Sequence, residues 1–216
     1  MGTLTEIRTA IFCTDNLEED RELVVRVRQH VNPLSQKYQQ PVVPPAWEKL
    51  YAELSQPLHL DIGCGRGYFL LSMAQQEPNW NYLGLEIREP LVMQANLLRT
   101  EMELTNVHYI FCNISNSLRG LLASLPVNSL QRVTIQFPDP WFKKRHQKRR
   151  MIQPAVVEIL SDYLVSGGIV FVQSDVEAVA TDICNQFACH AAFERQNEGW
   201  LPENPLAVPT ERERST

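Results

Sequence analysis

The sequence predicts an α/β fold, a mainly parallel sheet covered by helices on both faces. Three observations predict it. Short β-branched or aromatic runs alternate with amphipathic helical patterns along most of the chain, a glycine-rich turn follows the first of these runs, and 216 residues suit one α/β domain. Hydrophobic residues at 44% and charged residues at 21% allow a buried core. The longest apolar stretches, such as Ile169–Val172 and Leu121–Leu125, fall far short of the roughly 18 residues that read as a membrane span. The N-terminus carries Glu6 and Arg8 and no apolar core before a cleavage site, so it does not read as a secretory signal. Cys13, Cys64, Cys112, Cys184 and Cys189 are scattered and odd in number, which suits reduced thiols. The expected location is cytoplasmic.

Taken in order, residues 1–45 read as an N-terminal arm, basic at Arg21, Arg26 and Arg28 and punctuated by Pro41, Pro44 and Pro45. Residues 46–216 read as the folded domain. Strands are expected at Leu58–Ile62, Trp80–Ile87, Val107–Cys112, Gln131–Phe137 and Gly168–Gln173, where β-branched and aromatic residues cluster. Helices are expected at about Gly67–Gln76, Pro90–Leu104, Gln153–Leu164 and Val176–Phe187, with apolar residues three and four apart. Ligands of such sheets bind at the carboxyl ends of the strands, so the residues just after each strand hold the candidates.

The first strand ends in LHLDIGCGRG. Gly63, Gly65 and Gly67 allow a tight turn against which a ligand can lie near the start of a helix. The spacing is GxGxG, not the GxGxxG of dinucleotide sites, and Asp61 stands two residues before the first glycine. A carboxylate there repels a pyrophosphate but pairs with an ammonium. Glu86 closes the second strand, 19 residues after Gly67, where a carboxylate accepts hydrogen bonds from both ribose hydroxyls. A nicotinamide cofactor would use an acid here too, and an exposed strand-end acid is the plainer alternative. After the third strand, the Asn113 amide is placed to read an adenine edge, although many strands end in Asn at a turn.

The fourth strand runs into QFPDPWFKKRHQKRR. Net charge is −5, yet residues 143–150 hold six of the 20 Lys and Arg, leaving 14 basic against 25 acidic residues elsewhere, a balance of −11. A concentrated basic patch on an acidic body points to a polyanion held at one place. Trp141 and Phe142 beside it suit stacking on an unpaired base or, equally, anchoring of the loop. His59, His108 and His190 lie in or beside apolar segments and read as structural, and Cys184, Cys189 and His190 lack the second ligand pair of a zinc site, so no metal is assigned.

DIGCGRG, Glu86 and Asn113 together resemble the class I S-adenosylmethionine-dependent methyltransferases. QFPDPWFKKRHQKRR resembles the FPDPW-x-K-x-RH-x-KRR signature of the bacterial tRNA (guanine-N7)-methyltransferases, the TrmB family. The likeness runs from RVRQHVNPL (Arg26 to Leu34), through Gln173-Ser174-Asp175, to Pro209–Glu213. It implies a Rossmann-like class I fold with a mainly parallel seven-stranded sheet, and methyl transfer from S-adenosyl-L-methionine to nitrogen 7 of a guanine in the tRNA variable loop. It further implies that Asp61, Gly63, Gly65, Gly67, Glu86, Asn113 and Asp139 hold the cofactor and that Asp139 is also catalytic, between cofactor and base. By the same resemblance Lys143, Asp175, Thr210 and Glu213 bind substrate, and Arg145, His146, Lys148, Arg149 and Arg150 contact RNA. The pocket acids depart from the family's usual Glu and Asp at Asp61 and Asn113, and the C-terminal T-x-x-E has Glu211-Arg212 inside it in place of an apolar residue. No obligatory protein partner is implied, and a monomer or a homodimer would serve. Rival readings are another S-adenosylmethionine-dependent RNA base methyltransferase, a nicotinamide-dependent oxidoreductase, which would not need KKRHQKRR, and a non-catalytic RNA-binding protein, which would not need the pocket glycines.

Overall fold

The computed structural model describes residues 5–10, 31–197 and 199–214. Arg21, Arg26, Arg28 and Cys13 of the sequence analysis lie outside the described residues. The strands are β1 (Thr5–Ala10), β2 (Leu58–Ile62), β3 (Asn81–Glu86), β4 (Val107–Phe111), β5 (Leu130–Gln136), β6 (Ile169–Gln173) and β7 (Phe193–Arg195). The helices are α1 (Tyr68–Gln76), α2 (Glu89–Glu101), α3 (Ile114–Ala123), α4 (Pro154–Tyr163), α5 (Glu177–Ala188) and α6 (Glu211–Arg214).

The seven strands form one sheet in the order β4-β3-β2-β5-β6-β1-β7, and the registered pairs are parallel. This is the expected Rossmann-like class of sheet. The body is β2 to β6. After β2 the chain moves outward through β3 and β4, then returns to the other side of β2 with β5, so the order reverses between β2 and β5. A reversal of this kind splays the two following loops apart and opens a crevice at the carboxyl ends. The glycine turn and the Pro138-Asp139-Pro140 loop are those two loops.

Alternation along the strands sorts side chains to two cores. Leu58, Leu60 and Ile62 of β2 join Leu83 and Leu85 of β3 beneath α3, α4 and α5, together with Trp47 and Tyr51. Tyr82 and Tyr109 face the other way, onto Phe69, Leu70, Met73, Val92 and Ala95 of α1 and α2. Val208 of the C-terminal segment closes this second core.

Two features were not anticipated. The helix α3 has little helical signal in its sequence, because Gly120, Asn116 and two serines lower its intrinsic propensity. It forms because Asn113 caps it, Oδ1 accepting from the Ser115 N–H at 3.1 Å, and because Ile114, Leu118, Leu121 and Leu122 share one buried stripe. Residues 1–45, set apart as an arm, supply a sheet strand at Thr5–Ala10, paired with both β6 and β7. The end of the same segment, Val31 to Tyr38, lies over the strand ends, where the Asn113 Nδ2 donates to the carbonyls of Pro33 at 3.0 Å and Tyr38 at 3.2 Å.

Candidate active site

The glycine turn is built by the strand beside it. The N–H groups of Gly63 and Cys64 donate to the Leu85 carbonyl of β3 at 2.8 and 3.2 Å, which folds the turn back over the sheet end. Gly63 has φ +81°, and a Cβ there would meet the Met151 Cε at 2.8 Å, so a side chain would be both strained and blocked. Gly67, also at φ +81°, starts α1 with the Tyr109 ring and the Ala95 methyl against it, closer than a Cβ allows.

Glu86 at the end of β3 is buried and fully engaged. Its Oε2 accepts from the Gly65 N–H and from Arg88 Nη2, both at 3.0 Å, and Oε1 accepts from the N–H groups of Ile87 and Arg88 and from Arg88 Nε. One carboxylate thus ties the glycine turn to the start of α2. Arg88 was not singled out from sequence, although it stands two residues after Glu86. Its guanidinium lies over the carboxylate and within electrostatic reach of Asp139.

Asp61 lies beneath the turn. Its Oδ1 accepts from the Thr134 hydroxyl at 2.6 Å, and the Thr134 oxygen in turn contacts His59 Nε2 at 3.0 Å. Because the Thr134 proton is given to Asp61, the His59 ring donates from Nε2 and is neutral, and burial holds its pKa well below the ordinary range. Burial raises the Asp61 pKa to about 7, with Glu86 nearby adding to the rise and hydrogen bonds from Thr134 and Gln136 opposing it.

One crevice joins these parts. It is lined by Gly63, Glu86, Arg88 and Asn113 on the sheet side, by Pro33 and Leu34 from the N-terminal segment, and by Asp139, Trp141, Lys148, Arg149 and Arg150 from the loop after β5. Cys112 also lines it, a thiol whose pKa burial raises to about 12. Phe137 and Trp141, either side of Pro138-Asp139-Pro140, have φ of 48° and 42°, a left-handed backbone that non-glycine residues rarely adopt and that clusters at functional sites. The Trp141 ring carries the Arg149 guanidinium at 5.1 Å and meets His146 edge-on at 5.7 Å.

The predicted site residues separate into two sets. Gly63, Glu86, Asn113, Asp139, Lys148, Arg149 and Arg150 share the crevice wall, with Asp61, Gly65 and Gly67 packed around the turn behind it. Lys143, Arg145 and His146 lie outside the lining; Lys143, which precedes the 3-10 turn Lys144–Arg149, and Arg145 within it are exposed. Asp175 pairs with Arg212, whose guanidinium also sits 5.2 Å from the Phe137 ring centroid. Thr210 and Glu213 bond to each other: the Thr210 hydroxyl and N–H donate to Glu213 Oε2 at 2.7 and 2.6 Å, and Thr210 Oγ1 accepts from the Glu213 N–H at 3.2 Å. That is a capping box at the start of α6.

A methyltransferase family model, Methyltransf_4, matches residues 55–216. A protein of Trichormus variabilis named tRNA (guanine-N(7)-)-methyltransferase is 61% identical over 193 residues, which is 89% of this chain and 90% of that one. The chain belongs to this methyltransferase family. Proteins of the same name from Nostoc sp. and Synechococcus elongatus are 62% and 60% identical, across 89% and 88% of this chain and 88% and 89% of theirs. Among the described residues no helix is long and apolar enough to cross a membrane.

Proposed function

We propose that this methyltransferase transfers the methyl group of S-adenosyl-L-methionine to nitrogen 7 of a guanine in the variable loop of tRNA, in the cytoplasm and without an obligatory protein partner. The observation that carries the reading is the shared crevice. Gly63 and Glu86 from the sheet end and Asp139, Trp141, Lys148 and Arg149 from the loop after β5 line the same cavity. A nucleoside cofactor and a nucleic acid would therefore meet at one carboxylate.

The residues present fit such a cofactor. Gly63 lines the crevice without a Cβ, Glu86 is a buried carboxylate at a strand end that a ribose would reach by taking the place of the Arg88 guanidinium, and Asp61 is a buried carboxylate suited to an ammonium. Asn113 keeps a second lone pair on Oδ1 for an adenine amino group while its NH2 holds Pro33 and Tyr38. Bound there, S-adenosylmethionine supplies a methyl group on an electron-poor sulfonium. Nitrogen 7 of guanine has a lone pair and no proton, so the protein needs no general base and acts by alignment. Asp139 accepts from the N–H donors of the guanine Watson–Crick edge and stabilises the cationic purine as it forms. Lys148, Arg149 and the exposed Arg145 neutralise phosphates. The N-terminal segment, residues 1–45, serves as an accessory to the domain at 46–216, lending Pro33 and Leu34 to the crevice.

Methyl-labelled S-adenosylmethionine and unmodified tRNA test this directly. With the native protein the label is expected in 7-methylguanosine. With Asp139→Asn, single-turnover transfer at saturating cofactor should fall on the order of 100- to 1000-fold, as when one preorganised electrostatic contact is lost, with tRNA affinity little changed. Label in adenosine or uridine would overturn the guanine assignment, and a fully active Asp139→Asn protein would overturn the catalytic one.

A further inference from the structure

Within the run KKRHQKRR the cations are not equivalent. Arg145 and Lys148 are exposed, whereas the Arg150 side chain is only 16% exposed and already committed. Its Nη1 donates to Asp182 Oδ2 at 2.9 Å and its Nε donates to the Pro140 carbonyl at 3.3 Å. Asp182 lies on α5 and also accepts from Gln186 Nε2 at 3.2 Å. The Arg150 backbone is itself held, its N–H donating to the Gln147 carbonyl at 2.9 Å and its carbonyl accepting from Gln153 Nε2 at 3.1 Å.

Pro140 immediately follows Asp139, inside the segment bounded by the left-handed residues Phe137 and Trp141. Such a backbone persists only where its surroundings over-determine it. The loop is tied to the scaffold at its start by the Phe137 N–H donating to the Gln173 carbonyl of β6 at 2.8 Å. The matching tie beyond Asp139 is the Pro140–Arg150–Asp182 bridge. We propose that Arg150 is a positioning residue of the active site, a clamp that fixes the Asp139 loop to α5, and not a phosphate contact. The planar guanidinium suits this task because one rigid group reaches a carbonyl and a carboxylate at once. The inference rests on the reading above, in which Asp139 meets the base.

The test compares Arg150→Ala, Arg150→Lys and Asp182→Ala. A clamp predicts that all three slow single-turnover methyl transfer, at saturating cofactor and tRNA, on the order of 10- to 100-fold through misplacement of the loop. Affinity for tRNA and its salt dependence should stay within about twofold of native, and the Arg150→Ala, Asp182→Ala double variant should be no slower than the worse single one. A phosphate contact predicts the opposite pattern. Arg150→Lys would restore function, Arg150→Ala would flatten the salt dependence by roughly 0.7–0.9 log units, and Asp182→Ala would strengthen tRNA binding by freeing the cation. Amide exchange at Phe137, Asp139, Trp141 and Phe142 gives a readout free of RNA. It should quicken alike in Arg150→Ala and Asp182→Ala, and unchanged exchange in both would overturn the clamp even if the native protein labelled no guanine, a result that would sink the assigned reaction instead.

Discussion

Asp61 shows how a single buried carboxylate reports on its ligand. Its pKa is about 7 against an ordinary 3.8, so between those values the folded protein holds a proton that the unfolded chain has released. Folding stability at this site is therefore greatest at low pH, is lost as pH rises from about 4 to about 7, and is level above. An ammonium placed beside Asp61 favours its carboxylate, so cofactor binding expels the proton below pH 7. Affinity for S-adenosylmethionine should rise with pH, by at most about tenfold per unit, and level off near pH 8. Calorimetry from pH 5 to 8 checks this, and Asp61→Asn should flatten the profile. A native protein with pH-independent affinity would place the ammonium away from Asp61. The positions of Asp61, Glu86 and Asn113 were legible because each lies at or just beyond the carboxyl end of a strand. Their partners were not, since Asn113 reaches Pro33 and Tyr38 from 80 and 75 residues away.

The loop after β5 is the element in which most of the candidate chemistry is concentrated. Its motif was plain in the sequence, but the division of labour along it was not, because composition reports charge and not direction. Lys148, Arg149 and Arg150 all line the crevice, but Arg149 lies on the Trp141 ring whereas the Arg150 guanidinium is bonded to Asp182 of α5. Replacing Lys148 and Arg149 by Ala should weaken tRNA binding and flatten the dependence of log affinity on log salt by roughly 0.7–0.9 per lost phosphate contact. Filter binding at several salt concentrations measures it. Cofactor affinity should barely move, and a salt slope equal to native would put the polyanion elsewhere. The T-x-x-E that starts α6 shows the converse case. A pattern that the resemblance assigns to substrate forms a capping box here, and Arg212 inside it pairs with Asp175, 37 residues away in the chain.

At the scale of the molecule, the alternation of strands and helices was readable because each element shows its own period, and the parallel sheet followed from it. What escaped was the contribution of weakly patterned segments, α3 with its Gly120 and the strand Thr5–Ala10, whose places are set by tertiary pairing more than by local preference. The sheet order puts the glycine turn and the Asp139 loop on either side of the reversal between β2 and β5, the adjacency on which the proposed function rests. It reduces to one claim: a guanine presented to this crevice is methylated at nitrogen 7. A tRNA carrying 7-deazaguanosine at the variable-loop guanine, where a C–H replaces the accepting nitrogen, isolates that atom. Incubated with the protein and methyl-labelled S-adenosylmethionine, it should bind within about twofold of the normal tRNA yet take up no label, while undiminished uptake would contradict the assignment.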